Sequence, residues 1–132
     1  MVEGGVWSEG EGRLKVWCTM TRMGEGIVFC LGGGEKTHIG AISLAVPYKK
    51  KDGEWSVSVS TITLPAHRDD VLTRIIAEKV ARVTGSVVVA VGGVHVEAAS
   101  EKEINEIISN TERLAEKVAV ELRRCKAANL VD

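Results

Sequence analysis

The side chains best suited to chemistry in this sequence are its three histidines, His38, His67 and His95. An imidazole can exchange a proton near neutral pH, donate a hydrogen bond to an anion, or bind a metal ion. Together with Glu97, three histidines would suit zinc or iron. The His-x-x-x-His and His-x-His spacings typical of such sites are absent. A small metal-dependent enzyme using this histidine cluster is therefore an alternative hypothesis and not the leading one.

A glycine-rich stretch precedes the first histidine. Residues 32–37 read GGGEKT, and the Lys-Thr pair looks like the end of a phosphate-binding loop. That motif needs glycine where this chain has Glu35, and a helix where the pattern here predicts a strand. The stretch is better interpreted as a tight glycine hairpin. Since no Gly-x-Ser-x-Gly elbow is present and Glu97 beside His95 is a weak candidate for a general base, no catalytic residue is assigned.

Composition narrows the classes of partner. The 132 residues include 17 basic and 18 acidic ones, for a net charge of -1, and 4% are aromatic. Nucleic-acid binders usually have a basic excess and stacking aromatics, so we expect no nucleic-acid partner. We see no signal-peptide pattern and no apolar run long enough for a membrane. The odd number of cysteines predicts a cytoplasmic protein, with Cys18 and Cys30 buried in strands.

Periodicity predicts an α+β fold with a mostly antiparallel sheet. Four strands, near residues 14–20, 27–31, 38–46 and 55–64, precede a helix over 71–83, a strand over 86–91 and a long C-terminal helix. Ser100 and Glu103 form a capping box for that last helix. Asp69 and Asp70 are interpreted as stabilising the dipole of the first helix. We expect a loose segment over residues 1–12, one domain over 13–126 and a tail over 127–132.

Strand connectivity predicts that the histidines share one edge of the sheet. A tight hairpin after the second strand brings His38 to the edge where the fourth and last strands end, next to His67 and His95. Other residues expected at this edge are Lys36, Arg68, Gly92 and Gly93. Both helix N-termini lie there as well, and their free N–H groups favour anions such as phosphate. The chain, although nearly neutral, is therefore predicted to have one edge suited to an anion.

Three segments of the chain read THIGA (residues 37–41), TLPAHRDD (63–70) and VAVGGVHV (89–96). In sequence and in order they resemble the prenylated flavin chaperone family, whose members are small accessory proteins of gallate- and vanillate-type decarboxylases. The resemblance extends over about residues 13–120. Ala66 departs from the pattern, because glycine is expected in that Pro-x-His turn.

The resemblance implies a fold like that of proteasome assembly chaperones and a non-catalytic, dimeric protein. It implies that the protein assists cofactor handling or maturation for a prenylated-flavin-dependent decarboxylase, with prenylated FMN or FMN bound transiently and no metal. The implied cofactor contacts are His38, His67, Arg68, His95, Lys36, Gly92 and Gly93. An assembly chaperone or dimeric scaffolding module without cofactor is the second alternative, motivated by exposed strand edges and the apolar stripe of the last helix.

Overall fold

The computed structural model describes the backbone of residues 4–65 and 69–131, and the side chains of these ranges as far as Cys125. The elements in chain order are β1 (Gly4–Glu9), β2 (Val16–Met23), β3 (Gly26–Gly33), β4 (Lys36–Lys49), β5 (Trp55–Thr63), α1 (Asp70–Thr84), β6 (Val88–His95) and α2 (Glu101–Val131). A short 3-10 helix, Gly12–Leu14, connects β1 to β2. Within these described ranges, no helix is both long enough and apolar enough to cross a membrane.

The strands form a six-stranded sheet in the order β1-β2-β3-β6-β4-β5. The described strands pair antiparallel except β3 and β6, which run parallel. The expected hairpin between β3 and β4 is wrong, because β6 lies between them. This strand is apolar on both faces and reaches a central position, as continuous β-branched runs do. Gly92 (φ +143°) permits the close pairing, since a Cβ there would lie 1.9 Å from the Leu31 carbonyl oxygen.

The N-terminal residues are more ordered than the sequence predicts. Instead of a loose segment, Gly4–Glu9 form an edge strand that pairs along its whole length with β2. Trp7 anchors the strand, because its ring is buried and its Nε1–H donates a 2.8 Å hydrogen bond to Oε2 of Glu121 on α2. At the other end, α2 continues through Val131, past the expected start of a tail at residue 127.

Both helices pack on the same face of the sheet. The core residues on β2 and β3 alternate along each strand, as in Val16, Cys18, Phe29 and Leu31, and they meet apolar residues of α1 and α2. The residues between them point to the other face, which neither of the two described helices covers. Cys30 belongs to that second face and is exposed, so the expectation that it is buried is wrong. Its neighbours in sequence are apolar, but the two-residue period of a strand gives them the opposite orientation.

The helix ends are those that the sequence signals predict. Gly85 closes α1 with a left-handed conformation (φ +71°), and its N–H donates to the carbonyl of Ala81. At the start of α2, the Ser100 N–H donates a hydrogen bond to Glu103 Oε1, and the Glu103 N–H donates one to Ser100 Oγ. Each donor–acceptor distance is 3.1 Å. This reciprocal pair confirms the predicted capping box and fixes the first turn of α2 beside the end of β6.

Candidate functional site

A cavity of ≈ 430 Å³ opens between the first turns of α1 and α2 and the end of β6. Its polar lining consists of His38, Asp69 and His95. Its apolar lining consists of Val71, Leu72, Val94, Val96, Ala99, Ile104, Ile107 and Ile108. This combination of an apolar wall and a few convergent polar groups is the usual composition of a small-molecule site, and the volume lies in the range of such sites, about 300–1,000 Å³.

A buried carboxylate organises the polar side of the cavity. Asp69 directly precedes α1, and its residue is only 5% exposed. Its Oδ2 lies 2.8 Å from Nε2 of His38, and its Oδ1 accepts a 2.9 Å hydrogen bond from the Val94 N–H. An ionised carboxylate only accepts hydrogen bonds, so Nε2 of His38 carries the proton in this pair. Asp69 thereby connects β4, α1 and β6, which are far apart in sequence.

This role differs from the interpretation of Asp69 as a residue that merely stabilises the helix dipole. Its side chain makes no capping bond to α1, because both carboxylate oxygens are directed at neighbouring strands. Two glycines make room for it. A Cβ on Gly40 would lie 1.9 Å from Asp69 Oδ2, and a Cβ on Gly93 would lie 2.6 Å from the same oxygen. Neither position has a positive φ, so the requirement for glycine here is close approach and not backbone conformation.

The second histidine of the cavity stands at its mouth. His95 ends β6, and its Nε2 lies 3.0 Å from Oε2 of the exposed Glu97. Its ring centroid is 6.1 Å from that of His38, with an angle of 51° between the ring planes. The two described imidazoles therefore share the cavity, each next to its own carboxylate. Each carboxylate takes the Nε2–H of its imidazole and so fixes the orientation of the ring, while the apolar wall suits the hydrocarbon part of a ligand.

An ion-pair network stiffens the rim beside His95. Both oxygens of Glu103 accept hydrogen bonds from Arg13, with the shortest distance 2.7 Å, and Arg13 also donates to Glu35 and to the Glu97 carbonyl. The backbone N–H of Ser100 and then the Arg13 guanidinium lower the pKa of Glu103 from its ordinary 4.5. The network joins the short 3-10 helix, the turn before β4 and the start of α2.

Of the other predicted cofactor contacts that the structure describes, only Gly93 packs against the polar residues of the cavity. Lys36 pairs in register with His95 on the neighbouring strand, but its side chain lines a separate cavity of ≈ 150 Å³ next to Gly33 and Gly34. Gly93 packs against Asp69 and His38, whereas Gly92 packs against the backbone of β3. His67 and Arg68 lie outside the described residues.

The charges at this edge differ from the expected excess of cations. Each of the two described histidines is within hydrogen-bond distance of a carboxylate, and Arg13 is engaged by two more. The N-terminus of α2 is capped by its own Ser100–Glu103 pair. The described part of the edge is therefore a balanced network and not a cationic patch. Among the described side chains, no three His, Cys, Asp or Glu residues are grouped as metal ligands would be.

Neither Asp69 nor the apolar wall is predicted from the sequence as part of the site. One signal was available for Asp69, because Gly40 and Gly93 occur inside strands, where glycine often marks the close approach of another group. The wall gave no such signal. Its isoleucines belong to the apolar stripe of α2, which the sequence assigns to packing in the core. Only the three-dimensional structure shows that they also line a cavity.

Comparison with known proteins agrees with the expected family and fold. A family model described as the prenylated flavin chaperone LpdD-like domain matches residues 10–123. No curated protein matches the chain. Among solved structures, a chain from the crystal structure of a chaperone complex for yeast 20S proteasome assembly superposes with a TM-score of 0.57 at 13% sequence identity. The match covers 93% of this chain and 98% of that one, which confirms the predicted proteasome-assembly-chaperone-like α+β fold.

Proposed function

Since the chain belongs to the prenylated flavin chaperone LpdD-like family, we propose that it is a non-catalytic accessory protein that binds prenylated FMN transiently. In this proposal it delivers or protects the cofactor during maturation of a prenylated-flavin-dependent decarboxylase. The cofactor, once in the decarboxylase, supplies the electron sink for decarboxylation. The chaperone's own residues bind and shield it.

The cavity between α1 and α2 is the observation that carries this proposal. A prenylated flavin is a flat, largely apolar ring system with polar atoms along its edges and a phosphate on a flexible chain. The isoleucines and valines of the wall suit the rings, and the imidazoles of His38 and His95 provide polar groups beside the edge atoms. Ile104 and Val71 are 48% and 44% exposed at the mouth of the cavity, so a bound ring system would remove apolar surface from water.

We propose that the phosphate binds at the rim, through cationic residues that neighbour cavity residues in sequence or in strand register. Arg68 and His67 precede Asp69 directly in the chain, and Lys36 lies on β4 opposite His95. Guanidinium groups bind phosphate through two parallel hydrogen bonds, and lysine binds it as a point charge. Gly92 and Gly93 belong to the same strand end and allow the close packing that positions His95 and Asp69.

A titration of the purified protein with FMN and with prenylated FMN, followed by flavin fluorescence, tests the proposal. We expect saturable binding that is tighter for the prenylated form, because the additional ring adds apolar surface. Arg68→Ala should weaken binding about tenfold and Lys36→Ala about two- to fivefold, both less at high salt. Lys51→Ala, in the exposed turn between β4 and β5, is the matched control and should bind like wild type. Absence of binding by either flavin would rule the proposal out.

The partner and the assembly are part of the same proposal. We propose that the partner enzyme is a prenylated-flavin-dependent decarboxylase and that the chaperone acts as a homodimer. Co-expression with such a decarboxylase should raise the fraction of the enzyme that carries cofactor, and Arg68→Ala should reduce this gain.

A dimeric assembly or scaffolding module without cofactor is the second candidate, favoured by exposed apolar side chains on the edge strands, such as Val6 on β1 and Ile62 on β5. It predicts a stable dimer that binds neither flavin, so the titration distinguishes it from the first candidate.

The third candidate is a small metal-dependent enzyme that uses the histidines. It predicts stoichiometric zinc or iron in protein purified without an affinity tag. Elemental analysis of such a preparation tests that alternative directly.

A further inference from the structure

The outer edge of β5 is a strand edge without the usual protection. This strand is last in the sheet order and pairs with β4 along all nine of its residues, without a shift in register. In the described ranges, no strand pairs with its other side. Exposed edges usually carry lysine, proline or a bulge that keeps other chains from pairing there. The strand reads WSVSVSTIT and contains no charged residue, proline or glycine.

The edge at the other end of the sheet is protected. Strand β1 has only six residues and ends at the charged Glu9. Lys117 of α2 lies 2.6 Å from the Glu9 carboxylate and donates a 2.9 Å hydrogen bond to the Ser8 carbonyl. A side chain of α2 therefore occupies part of the β1 edge. The contrast identifies β5 as the edge to which another strand can be added.

Two backbone hydrogen bonds show which groups of β5 face outward. At one end of the β4–β5 ladder, the Leu64 N–H donates to the Gly40 carbonyl over 2.9 Å. At the other end, the Lys50 N–H donates to the Glu54 carbonyl over 2.7 Å. Bonded and non-bonded pairs alternate in an antiparallel ladder. Since the even-numbered residues are bonded to β4 at both ends, the odd-numbered residues of β5 direct their N–H and C=O groups outward.

A cavity lies beside these outward groups. It has a volume of ≈ 360 Å³ and is enclosed by the start of β5 and the end of α1, with Trp55, Val57 and Val83 in its lining. Trp55 is 64% exposed, so its ring presents apolar surface to a partner. Opposite residues of paired strands point to the same face and are only about 5 Å apart. A strand paired with β5 would therefore place a side chain in this cavity.

We propose that β5 binds an extended segment of a partner protein, which joins the sheet as a seventh strand. The segment bonds through its backbone to the outward groups of Val57, Val59 and Thr61. Its middle is uncharged, like the strand that it pairs with, and one apolar side chain enters the cavity beside Trp55. The cavity at the first turns of α1 and α2 is not involved. The inference therefore goes beyond the proposed function and holds whether or not the chain binds flavin.

Charge defines the chemistry of one end of the segment. The end of β4 and the turn after it carry Lys49, Lys50 and Lys51, against Asp52 and Glu54. The three lysines are exposed, and in the described part of the chain none of them is held in an ion pair. The carboxylate of Asp52 is engaged inside the turn, where it accepts the Glu54 N–H. An antiparallel strand, the more common arrangement, passes this turn at its C-terminal end, so that end of the segment is acidic.

A designed peptide tests the proposal by fluorescence anisotropy with the full chain. The probe is fluorescein-labelled Ser-Val-Ser-Val-Ser-Leu-Glu-Glu, whose valines lie opposite the outward residues of β5, whose leucine enters the cavity and whose glutamates meet the lysines. We expect saturable binding that weakens at high salt. The same peptide with N-methyl groups on both valines keeps every side chain but loses two backbone donors. It should bind about tenfold or more weakly.

Variants of β5 separate backbone pairing from side-chain contact. Val59→Pro removes an outward N–H at an edge position, where proline is tolerated, and should weaken peptide binding about tenfold with unchanged circular dichroism. Val59→Thr is the matched control, because it keeps the branched shape and the N–H, and it should bind like wild type. Lys51→Ala should weaken peptide binding about two- to threefold and leave flavin affinity unchanged, which distinguishes this surface from the cofactor site.

Three results would each overturn the proposal: no binding of the peptide by wild type, equal binding of the N-methylated peptide, or equal binding by Val59→Pro and Val59→Thr. A second copy of the chain as the occupant would overturn it as well. That case would appear in light scattering as a self-association that Val59→Pro abolishes and the peptide does not displace. Peptide binding in a protein that binds no flavin would remove only the cofactor role.

Discussion

Substitution of Gly40 by alanine tests the arrangement of the site more sharply than removal of a ligand-facing side chain. The new Cβ would lie 1.9 Å from Asp69 Oδ2, and such contacts are not found below 3.0 Å. Gly40 lies where the pairing of β4 with β6 is interrupted between Thr37 and Ala41, but its carbonyl accepts a 2.9 Å hydrogen bond from the Leu64 N–H, and Ala41 pairs with both neighbouring strands. The carboxylate is therefore expected to move before this backbone does. That movement breaks its hydrogen bonds with His38 and with the Val94 N–H.

The expected cost combines overpacking, about 1–3 kcal/mol, with weakened bonds to a buried carboxylate, about 1.5–3 kcal/mol. Because relaxation relieves part of each, we expect about 2–4 kcal/mol in total, or a fall in Tm of about 10 °C for a chain of this size. Chemical and thermal denaturation measure both quantities. Gly26→Ala is the matched control, since it is also a strand glycine without positive φ, and its Cβ would have ordinary contacts at 3.4 Å.

A double-mutant cycle identifies the cause of the effect. If the clash is with Asp69, Gly40→Ala should cost much less in an Asp69→Ala background, where the carboxylate is absent. Equal costs in both backgrounds, or a Gly40→Ala protein as stable as Gly26→Ala, would refute the reasoning about how Asp69 is held.

Three further predictions concern the framework around the site. Burial raises the pKa of the Cys18 thiol to about 12, so thiol reagents at pH 8 should modify Cys18 only when denaturant unfolds the chain, as mass spectrometry of labelled peptides can determine. Ser100→Ala should destabilise the protein by about 1 kcal/mol through loss of the cap on α2, measured by denaturant titration. The pKa of Glu103 is lower in the folded chain than its ordinary value of 4.5. Its contribution to stability is therefore fully present at pH values above 4.5 and is lost as the pH falls through the lower pKa of the folded state. In a series of Tm measurements at acid pH, Glu103→Gln should therefore lose less stability than wild type, and an unchanged acid profile would argue against the bonds of Glu103 to Ser100 and Arg13.

The sequence predicts the elements well because each has a local signal. Alternation predicts β2, the capping box predicts the start of α2, and Gly85 marks the end of α1. The order of the strands has no such local signal. The glycine-rich stretch before β4 resembles a hairpin, and only the insertion of β6 between β3 and β4 shows that it is a wider connection.

The errors about the first strand and about Cys30 share a physical cause. Which strands pair, and which face of the sheet a side chain belongs to, both depend on residues far away in the sequence. The first strand lacks a strong apolar alternation. It is held in place by backbone hydrogen bonds to β2 and by the Trp7 side chain, which is bonded to Glu121 of α2. Cys30 looks like core in a run of apolar neighbours, but the face it belongs to is decided by which side the helices cover. The gathering of His38 and His95 follows from strand ends, and Glu97 is close to His95 in the sequence, whereas nothing in the sequence pairs Asp69 with His38.

The central claim is that the cavity between α1 and α2 binds a prenylated flavin, and one comparison of affinities tests it most directly. Ile104→Glu puts a charge at the exposed mouth of the cavity, and Val120→Glu puts the same charge on an exposed part of α2 outside it. Titrated with prenylated FMN, wild type and Val120→Glu should bind equally, and Ile104→Glu should bind about tenfold or more weakly. Equal affinity of the two glutamate variants, or no binding by wild type, would contradict the claim.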